Sequence, residues 1–286
     1  MATVTTLQKA SFTVGFLAAA VAGVIVGCSG QQWRWAVPQK AASAFPALEH
    51  TPFGPGEKLD YDFGWNGIPA ATLTVSLSSA ARDGRDCLIF GYKGQTTGSL
   101  SHLYAFEASG ETCLDPLTLQ PLSADMLTRT RNKEKQIVTR FDWQRALADA
   151  KVHKVRRGKV SEKEVSLEVG LDTASALLLM RATDVPARTT RTLRVVTAED
   201  AYEVTITPVG PEEIAVAAGT FATTHYDVGI RELTKNAGEE DTQPVQYRNV
   251  RIWVADKNRM PVRLEADLSI GHLYAELTGF QAGQAR

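Results

Sequence analysis

The side chains that could carry out acid–base or nucleophilic chemistry are scattered along this sequence. The five histidines stand singly, at His50, His102, His153, His225 and His272. The sequence has no G-x-S-x-G elbow, no H-E-x-x-H pair and no glycine-rich phosphate loop. These are the short motifs that build a nucleophile, a zinc site or a phosphate cradle. We therefore expect no enzymatic activity, no catalytic residue, no metal site and no cofactor.

Three carboxylates lie close together near the start of the first predicted strand. Glu57, Asp60 and Asp62 could in principle supply an acid and a base. Asp60 and Asp62, however, alternate with the apolar residues between Leu59 and Phe63, which places them on the wet face of a strand. We prefer the interpretation that all three are solvated surface carboxylates.

The first of three cysteines follows an uncharged apolar run, Ser11–Val26. A run of about 16 residues is short for a transmembrane helix, and its position after one lysine is typical of a secretory leader. The stretch Ile25–Cys28 resembles the bacterial lipoprotein cleavage box, in which the cysteine becomes the acylated N-terminus. We predict a leader over 1–27 and lipidation of Cys28; an uncleaved anchor or a chance cysteine are the alternatives.

Acylation would hold the protein on a membrane, since each buried methylene contributes about 0.8 kcal/mol. Ser29 follows the cysteine where an aspartate would retain a lipoprotein at the inner membrane, so we expect a palmitate-type anchor in the outer membrane, facing the periplasm. Residues 28–55 contain four prolines and predict a tether. Its Trp33 and Trp35 either rest at the lipid headgroups or pack on the folded domain.

The remaining cysteines, Cys87 and Cys113, form an even pair in what would be an oxidising compartment. We predict a disulfide between them, because a chain reversal near Leu100 would bring them onto neighbouring strands. Two buried thiols are the alternative. A metal site is disfavoured because no C-x-x-C spacing occurs.

Charge gives no reason to expect a nucleic-acid partner, since 31 basic residues nearly cancel 32 acidic ones. Basic side chains cluster at Arg129–Lys135 and Lys151–Lys163. In both segments charged residues occupy positions on both faces of the predicted strands. This pattern predicts protruding hairpins in which neither face is buried. Such hairpins could contact anionic envelope material, or they could be a solvated edge that blocks aggregation.

Alternation with a period of two dominates the sequence after Gly56. Ala71–Ser78, Tyr202–Thr207, Val250–Val254 and Val262–Leu268 each alternate apolar with polar residues, which is typical of antiparallel strands with one dry face. About a dozen such strands separated by turn residues predict an all-β fold with one short helix. We expect one domain over 56–281, built as a large curved antiparallel sheet that forms a half-barrel or open barrel.

The one helix is predicted at Leu171–Ala182, with Asp172 or Thr173 as its N-cap. Its apolar side, Leu177, Leu178 and Met180, needs a partner, and the concave face of the sheet is the nearest. If the helix does not fill the space, these residues would line a cavity for an apolar ligand.

Four segments resemble, in order, the landmarks of a bacterial envelope family named domain of unknown function 3108: Gly56–Val75, Gly94–Pro121, Gly219–Val228 and Arg251–Glu265. The resemblance spans roughly Phe53 to Phe280, although Ala70–Ala71 stands where the family tends to have a glycine. It implies a secreted or lipidated protein of a Gram-negative bacterium, with a half-barrel similar to the lipoprotein carriers of the Lol pathway. Fold alone does not fix function.

Two functions follow as hypotheses. The first is an envelope lipoprotein that binds a hydrophobic or lipid-like ligand or handles lipoproteins. The second is a non-catalytic structural or interaction protein that contacts peptidoglycan or an envelope protein complex. The sequence names no ligand, protein partner or oligomeric state.

Overall fold

The structure is a computed structural model that describes residues 47–197, 200–233, 248–268 and 271–285. These residues form one antiparallel sheet of 14 strands and two helices. The first arm of the sheet contains β1 (Lys58–Trp65), β2 (Ile68–Arg82), β3 (Arg85–Thr96), β4 (Phe106–Leu114), β5 (Pro121–Thr130), β6 (Lys133–Asp142), β7 (Leu147–Arg156) and β8 (Lys159–Glu168). The second arm contains β9 (Arg191–Val196), β10 (Ala201–Val216), β11 (Gly219–Glu232), β12 (Arg248–Ala255), β13 (Pro261–Leu268) and β14 (Gly271–Gln281).

The sheet is built from two meanders joined at one seam. Each strand pairs with its neighbours in the sequence, except that β8 and β9 are not paired with each other. β1 also pairs with β14, so the sheet runs from β8 through β1 and β14 to β9. Short turns such as Asp83–Gly84 and Asn66–Gly67, whose residues all have positive φ, make the hairpins. Such turns match the twist of antiparallel strands.

The two edges of the sheet come together, so that it nearly closes into a barrel. Leu171, just after β8, forms a parallel bridge with Val195 of β9. The Leu171 N–H donates to the carbonyl of Arg194 at 2.9 Å, and the Val196 N–H donates to the carbonyl of Leu171 at 2.7 Å. Arg194 also pairs with Glu168 at 3.1 Å. The predicted all-β fold and curved sheet are confirmed.

Two helices connect the strands. α1 (Gly98–Leu103) joins β3 to β4 and was not predicted; its six residues are too few to show a helical period. α2 (Thr173–Ala182) is the predicted helix and lies inside the rolled sheet. Successive side chains of a strand point to opposite faces of the sheet. We call the face toward α2 the inner face and the opposite face the outer face.

Residues 47–55, which we expected to belong to the tether, pack against the domain. Phe53 is buried in the main core, and Leu48 donates a backbone hydrogen bond to Leu117. The other end of the chain meets the same segment, where Gln284 donates to the carbonyl of Pro55 at 2.9 Å. The ordered domain thus begins before Gly56.

The long hairpin of β10 and β11 folds back over the sheet. A bulge between Pro208 and Gly210 breaks its register, and its distal half covers the outer face of β12 and β13. Trp253 there donates to Glu212 at 2.7 Å and is buried. This part of the outer face therefore has a small core of its own, separate from the interior around α2.

Candidate functional site

The interior of the sheet on either side of α2 is the candidate site, and the helix begins at a buried cap. The Asp172 carboxylate accepts from the Ser175 backbone N–H at 2.8 Å and from the Ser175 hydroxyl. Thr112 of β4 donates to its second oxygen at 2.6 Å. An aspartate at this position satisfies helix N–H groups that have no partner within the helix. Asp172 therefore fixes where α2 begins, as predicted, and also ties it to the sheet.

Burial raises the pKa of Asp172 above its ordinary value, and the hydrogen bonds from Ser175 and Thr112 partly offset this effect. Burial also raises the pKa of the nearby Tyr92, and the Asp172 charge adds to that rise. No histidine is among the contacts that the structure describes for these two groups, and the hydroxyls of Ser175 and Thr112 both donate to the Asp172 carboxylate. The pair has the features of a structural anchor.

The other end of α2 is held by a buried ion pair. Arg181 makes two hydrogen bonds to the Glu57 carboxylate, of 2.6 and 2.8 Å, and the two side chains are only 2% and 5% exposed. The Arg181 guanidinium also lies 4.7 Å from the centre of the Phe53 ring. The interpretation of Glu57 as a solvated carboxylate is wrong, because the folded residues before β1 and the helix exclude water from it.

A second arginine completes this anchor from the turn between β12 and β13. Arg259 donates to the carbonyls of Met180, Arg181 and Thr183, at 3.2, 3.3 and 3.4 Å. Arg181 returns one hydrogen bond to the carbonyl of Arg259, at 2.9 Å. The last carbonyls of a helix have no partners within the helix, so Arg259 caps α2 and fixes it to the sheet.

A C-terminal cavity of about 100 Å³ lies beside this end of the helix. Most of its wall is apolar and includes Leu59 and Val75 of the sheet and Leu177 of α2; Arg181 and Arg263 are its charged members. Tyr61 also contributes to the wall and donates to the carbonyl of Pro261 at 2.8 Å. Its hydroxyl is thus satisfied, and the cavity offers an apolar group a mostly apolar surface.

An N-terminal cavity of about 50 Å³ lies at the start of the helix, against β5 and β6. Its wall includes Met126, Ile137 and Thr139 of the sheet and Asp172 of the helix cap. Phe90 and Thr173 line both cavities, so both reach the first turn of α2.

The three residues predicted to line a ligand cavity have different positions. Leu177 lines the C-terminal cavity. Leu178 and Met180 are buried in two different parts of the core, at 0% and 4% exposure. They hold the helix against the sheet, and neither belongs to the wall of the two cavities described above. The sequence pattern could not distinguish residues that pack in the core from residues that line a cavity, because both positions require an apolar side chain.

The predicted disulfide between Cys87 and Cys113 is present, with the two Cα atoms 5.3 Å apart. It joins β3 and β4 on the outer face of the sheet, beside Ile89. The chain reversal that brings the cysteines together is α1. Cys28 and Ser29, and with them the predicted lipid anchor, lie outside the described residues.

No helix among the described residues is long and apolar enough to cross a membrane. Within the same residues, no three histidine, cysteine or acidic side chains are grouped as metal ligands would be.

Comparison with known proteins extends this description. The family model named "Protein of unknown function (DUF3108)" matches residues 60–278. No curated protein matches the chain closely enough to count as a relative. The crystal structure of a beta-barrel-like protein of domain of unknown function DUF1849 from Brucella abortus is similar, with a TM-score of 0.56 and 10% identity over 82% of this chain and 100% of that chain. This likeness concerns the fold alone.

Two further solved structures are more distant. A protein from Bacteroides fragilis, provisionally assigned as exported and with a YmcC-like fold, has a TM-score of 0.35 and 10% identity, over 82% of this chain and 99% of its own. A protein from Parabacteroides distasonis, provisionally assigned as a lipoprotein, has a TM-score of 0.33 and 9% identity, over 81% and 99%. Their similarity is too low to bear on the site described above.

Proposed function

We propose that this chain, which belongs to the DUF3108 family of proteins of unknown function, is an exported envelope protein that binds an apolar, lipid-like ligand without transforming it. The ligand would lie inside the rolled sheet, against α2. The observation that carries the proposal is the C-terminal cavity, whose wall of sheet residues and Leu177 is mostly apolar.

The size of the cavity limits what it holds. Its volume of about 100 Å³ is below the roughly 300–1,000 Å³ of pockets that enclose a whole small molecule. It therefore suits one end of a hydrocarbon chain. A longer segment would have to continue along the inner face of the sheet, past the first turn of α2.

The protein would act from the outer membrane, facing the periplasm. This part of the proposal is supported by the predicted leader over 1–27 and by the resemblance of Ile25–Cys28, followed by Ser29, to a lipoprotein cleavage box. Lipidation at Cys28 would leave the sheet domain in the periplasm, where a disulfide such as Cys87–Cys113 persists.

Ligand binding is tested with a chain that starts at Ser29, which keeps every contact described above because the described residues begin at 47. Extraction and mass spectrometry should find a bound lipid, and decanol should displace the neutral probe N-phenyl-1-naphthylamine. Leu177→Trp should reduce decanol binding by filling the cavity. Leu117→Trp is the matched control, because Leu117 is exposed on a turn. A chain that binds neither lipid, probe nor decanol would reject the proposal.

Anchoring is tested in cells. Cys28→Ala should leave the precursor uncleaved and prevent lipid attachment, so labelled palmitate should no longer be incorporated. In the unchanged chain the protein should sediment with outer-membrane vesicles. Unaltered mass and unaltered palmitate labelling of Cys28→Ala would contradict the anchor.

The second hypothesis, a structural contact with peptidoglycan or an envelope protein complex, stays a prediction. The cations that face outward on the basic hairpins already have acidic partners: Arg129 pairs with Glu134 at 2.8 Å and Lys151 with Glu164 at 3.1 Å. This arrangement gives the outer surface little surplus positive charge for a polymer.

A further inference from the structure

Charge on the strands β5 to β8 is separated by face. The inner positions carry six cations, Lys133, Lys135, Lys154, Arg156, Lys159 and Lys163, and no acid. The outer positions of the same four strands, all of which the structure describes, carry three cations, Arg129, Arg140 and Lys151. They also carry seven acids, Asp125, Glu134, Asp142, Asp149, Glu162, Glu164 and Glu168. We call the six inner residues the cationic band.

The strand register places these like charges beside one another. Arg156 of β7 lies between two other cations of the same row. Its partner on β6 is Lys133 and its partner on β8 is Lys159. Lys135 lies opposite Lys154 in the next inner row, and Lys135 is buried at 8% exposure. Like charges directly opposite each other on a sheet are destabilising. Lys133, Lys135, Lys154 and Lys163 each have a contact within the protein, and the inner positions of β5–β8 themselves carry cations and no acid.

The cationic band continues directly into an apolar surface. Ile137 follows Lys135 at the next inner position of β6, about 7 Å further along the strand. Ile137 lies opposite Met126 and Val152, and both Ile137 and Met126 line the N-terminal cavity. The inner face thus changes from cationic at the rim to apolar toward α2. The buried Asp172, at the cap of α2, lines the same cavity.

From this arrangement we infer that the inner face of β5–β8 binds a single-chain amphiphile with an anionic headgroup. The headgroup, a carboxylate or a phosphate, lies on the cationic band. The hydrocarbon chain runs along Met126, Ile137 and Val152 toward α2. Lys133, Lys135, Lys154 and Lys163 also have contacts within the protein, so the headgroup shares or replaces these. This inference rests on the proposed binding function and adds the charge and orientation of the ligand.

The first test compares ligands that share one chain length. Decanoate, decyl phosphate, decanol and decyltrimethylammonium are titrated against the chain that starts at Ser29, with displacement of N-phenyl-1-naphthylamine as the signal. Both anions should bind about tenfold more tightly than decanol, and the cation more weakly. Because salt screens charges beyond about 3 Å at 1 M, this preference should shrink in 1 M salt. A preference for only one anion identifies the headgroup as carboxylate or phosphate.

The second test uses matched variants of opposite faces. Lys154→Gln with Arg156→Gln removes two inner charges, and Arg129→Gln with Lys151→Gln removes two outer charges from the same part of the sheet. The inner pair should lose about five- to tenfold in decanoate affinity, as expected for two partly screened charges, with decanol binding unchanged. The outer pair should keep both affinities. Circular dichroism checks that each variant is folded.

The outcomes separate this inference from the proposed function. If decanol binds and Leu177→Trp blocks it, but anions have no advantage or both variants lose affinity equally, only the inference is overturned. If no amphiphile binds, both fail. If polyglutamate displaces decanoate at matched charge, and hexanoate binds as tightly as decanoate, the cationic band serves an anionic polymer and the inference is wrong.

Discussion

The two ends of α2 are fixed to the sheet by different chemistry. At the N-terminal end, the Asp172 carboxylate accepts from neutral groups of Thr112 and Ser175. At the C-terminal end, two oppositely charged side chains, Arg181 and Glu57, meet in a buried pair. The first arrangement loses one hydrogen bond when a partner is removed, whereas the second leaves a buried charge without a counter-charge.

This difference indicates which end of the helix is cheaper to release. A hydrogen bond from a neutral donor to a charged group contributes about 1.5–3 kcal/mol to the free energy of unfolding. Removing one partner of a buried ion pair lowers it by about 3–5 kcal/mol. The N-terminal end, beside the N-terminal cavity and the apolar stretch of β6, is therefore the weaker attachment. Four measurements test this order.

The largest effect should come from Glu57→Gln, which leaves the Arg181 guanidinium buried without its counter-charge. We expect the free energy of unfolding in urea to fall by about 3–5 kcal/mol. Replacing both residues, Glu57→Met with Arg181→Met, should recover most of this loss. The exposed pair Arg82–Glu111 is the control, and Glu111→Gln should cost less than about 1 kcal/mol. If Glu57→Gln and Glu111→Gln lower the free energy of unfolding equally, burial does not determine the contribution of the Glu57–Arg181 pair.

Arg259→Met should have the next largest effect, because it removes the donors to the carbonyls of Met180, Arg181 and Thr183. We expect a loss of about 2–3 kcal/mol in the free energy of unfolding. Lys257→Met, in the same turn but exposed, should change it by less than about 0.5 kcal/mol. If the two variants unfold alike, Arg259 does not anchor the helix.

At the other end, Thr112→Val should cost about 1–2 kcal/mol, because one oxygen of the buried Asp172 loses its donor. Thr220→Val, at an exposed position of β11, controls for the change of side chain. Hydrogen exchange of the amides of α2 should rise more at its first turn than at its last. A uniform rise along the helix would show that the two ends are not independent.

The smallest effect concerns pH. Burial raises the pKa of Asp172 above 3.8 in the folded protein, so the folded state keeps a proton that the unfolded state has already lost. The free energy of unfolding contributed by this group therefore falls as pH rises through that window. Asp172→Asn removes the dependence. The free energy of unfolding of the native protein minus that of the variant should shrink as pH rises from 3.8 through the raised pKa of Asp172, and a difference that does not change with pH would contradict the assignment.

Local patterns predicted much of the fold. Alternation identified the strands, and Asp172 was among the two N-cap residues expected for α2, because these features depend on neighbours within a few residues. The disulfide followed from cysteine count and an assumed reversal. α1 was missed because its short sequence, Gly98–Leu103, carries no helical period.

Long-range pairing could not be predicted. Glu57 and Arg181 are 124 residues apart in the sequence, and near the start of a strand Glu57 has the same pattern as a solvated acid. The basic hairpins were expected to have neither face buried, yet Lys135 is buried. Charges at alternating positions look alike in a sequence; only the curvature of the sheet decides which of them face inward.

The seam between β1 and β14 has a consequence for the order in which the sheet forms. All other pairings between strands in the described sheet join neighbours in the sequence, so each hairpin can form as soon as its two strands are available. Closing the seam requires residues as distant as Lys58 and Gln281 to meet, which adds the entropy cost of a long loop. The two meanders can therefore be joined only when β1 and β14, the first and last strands of the described sheet, are both available.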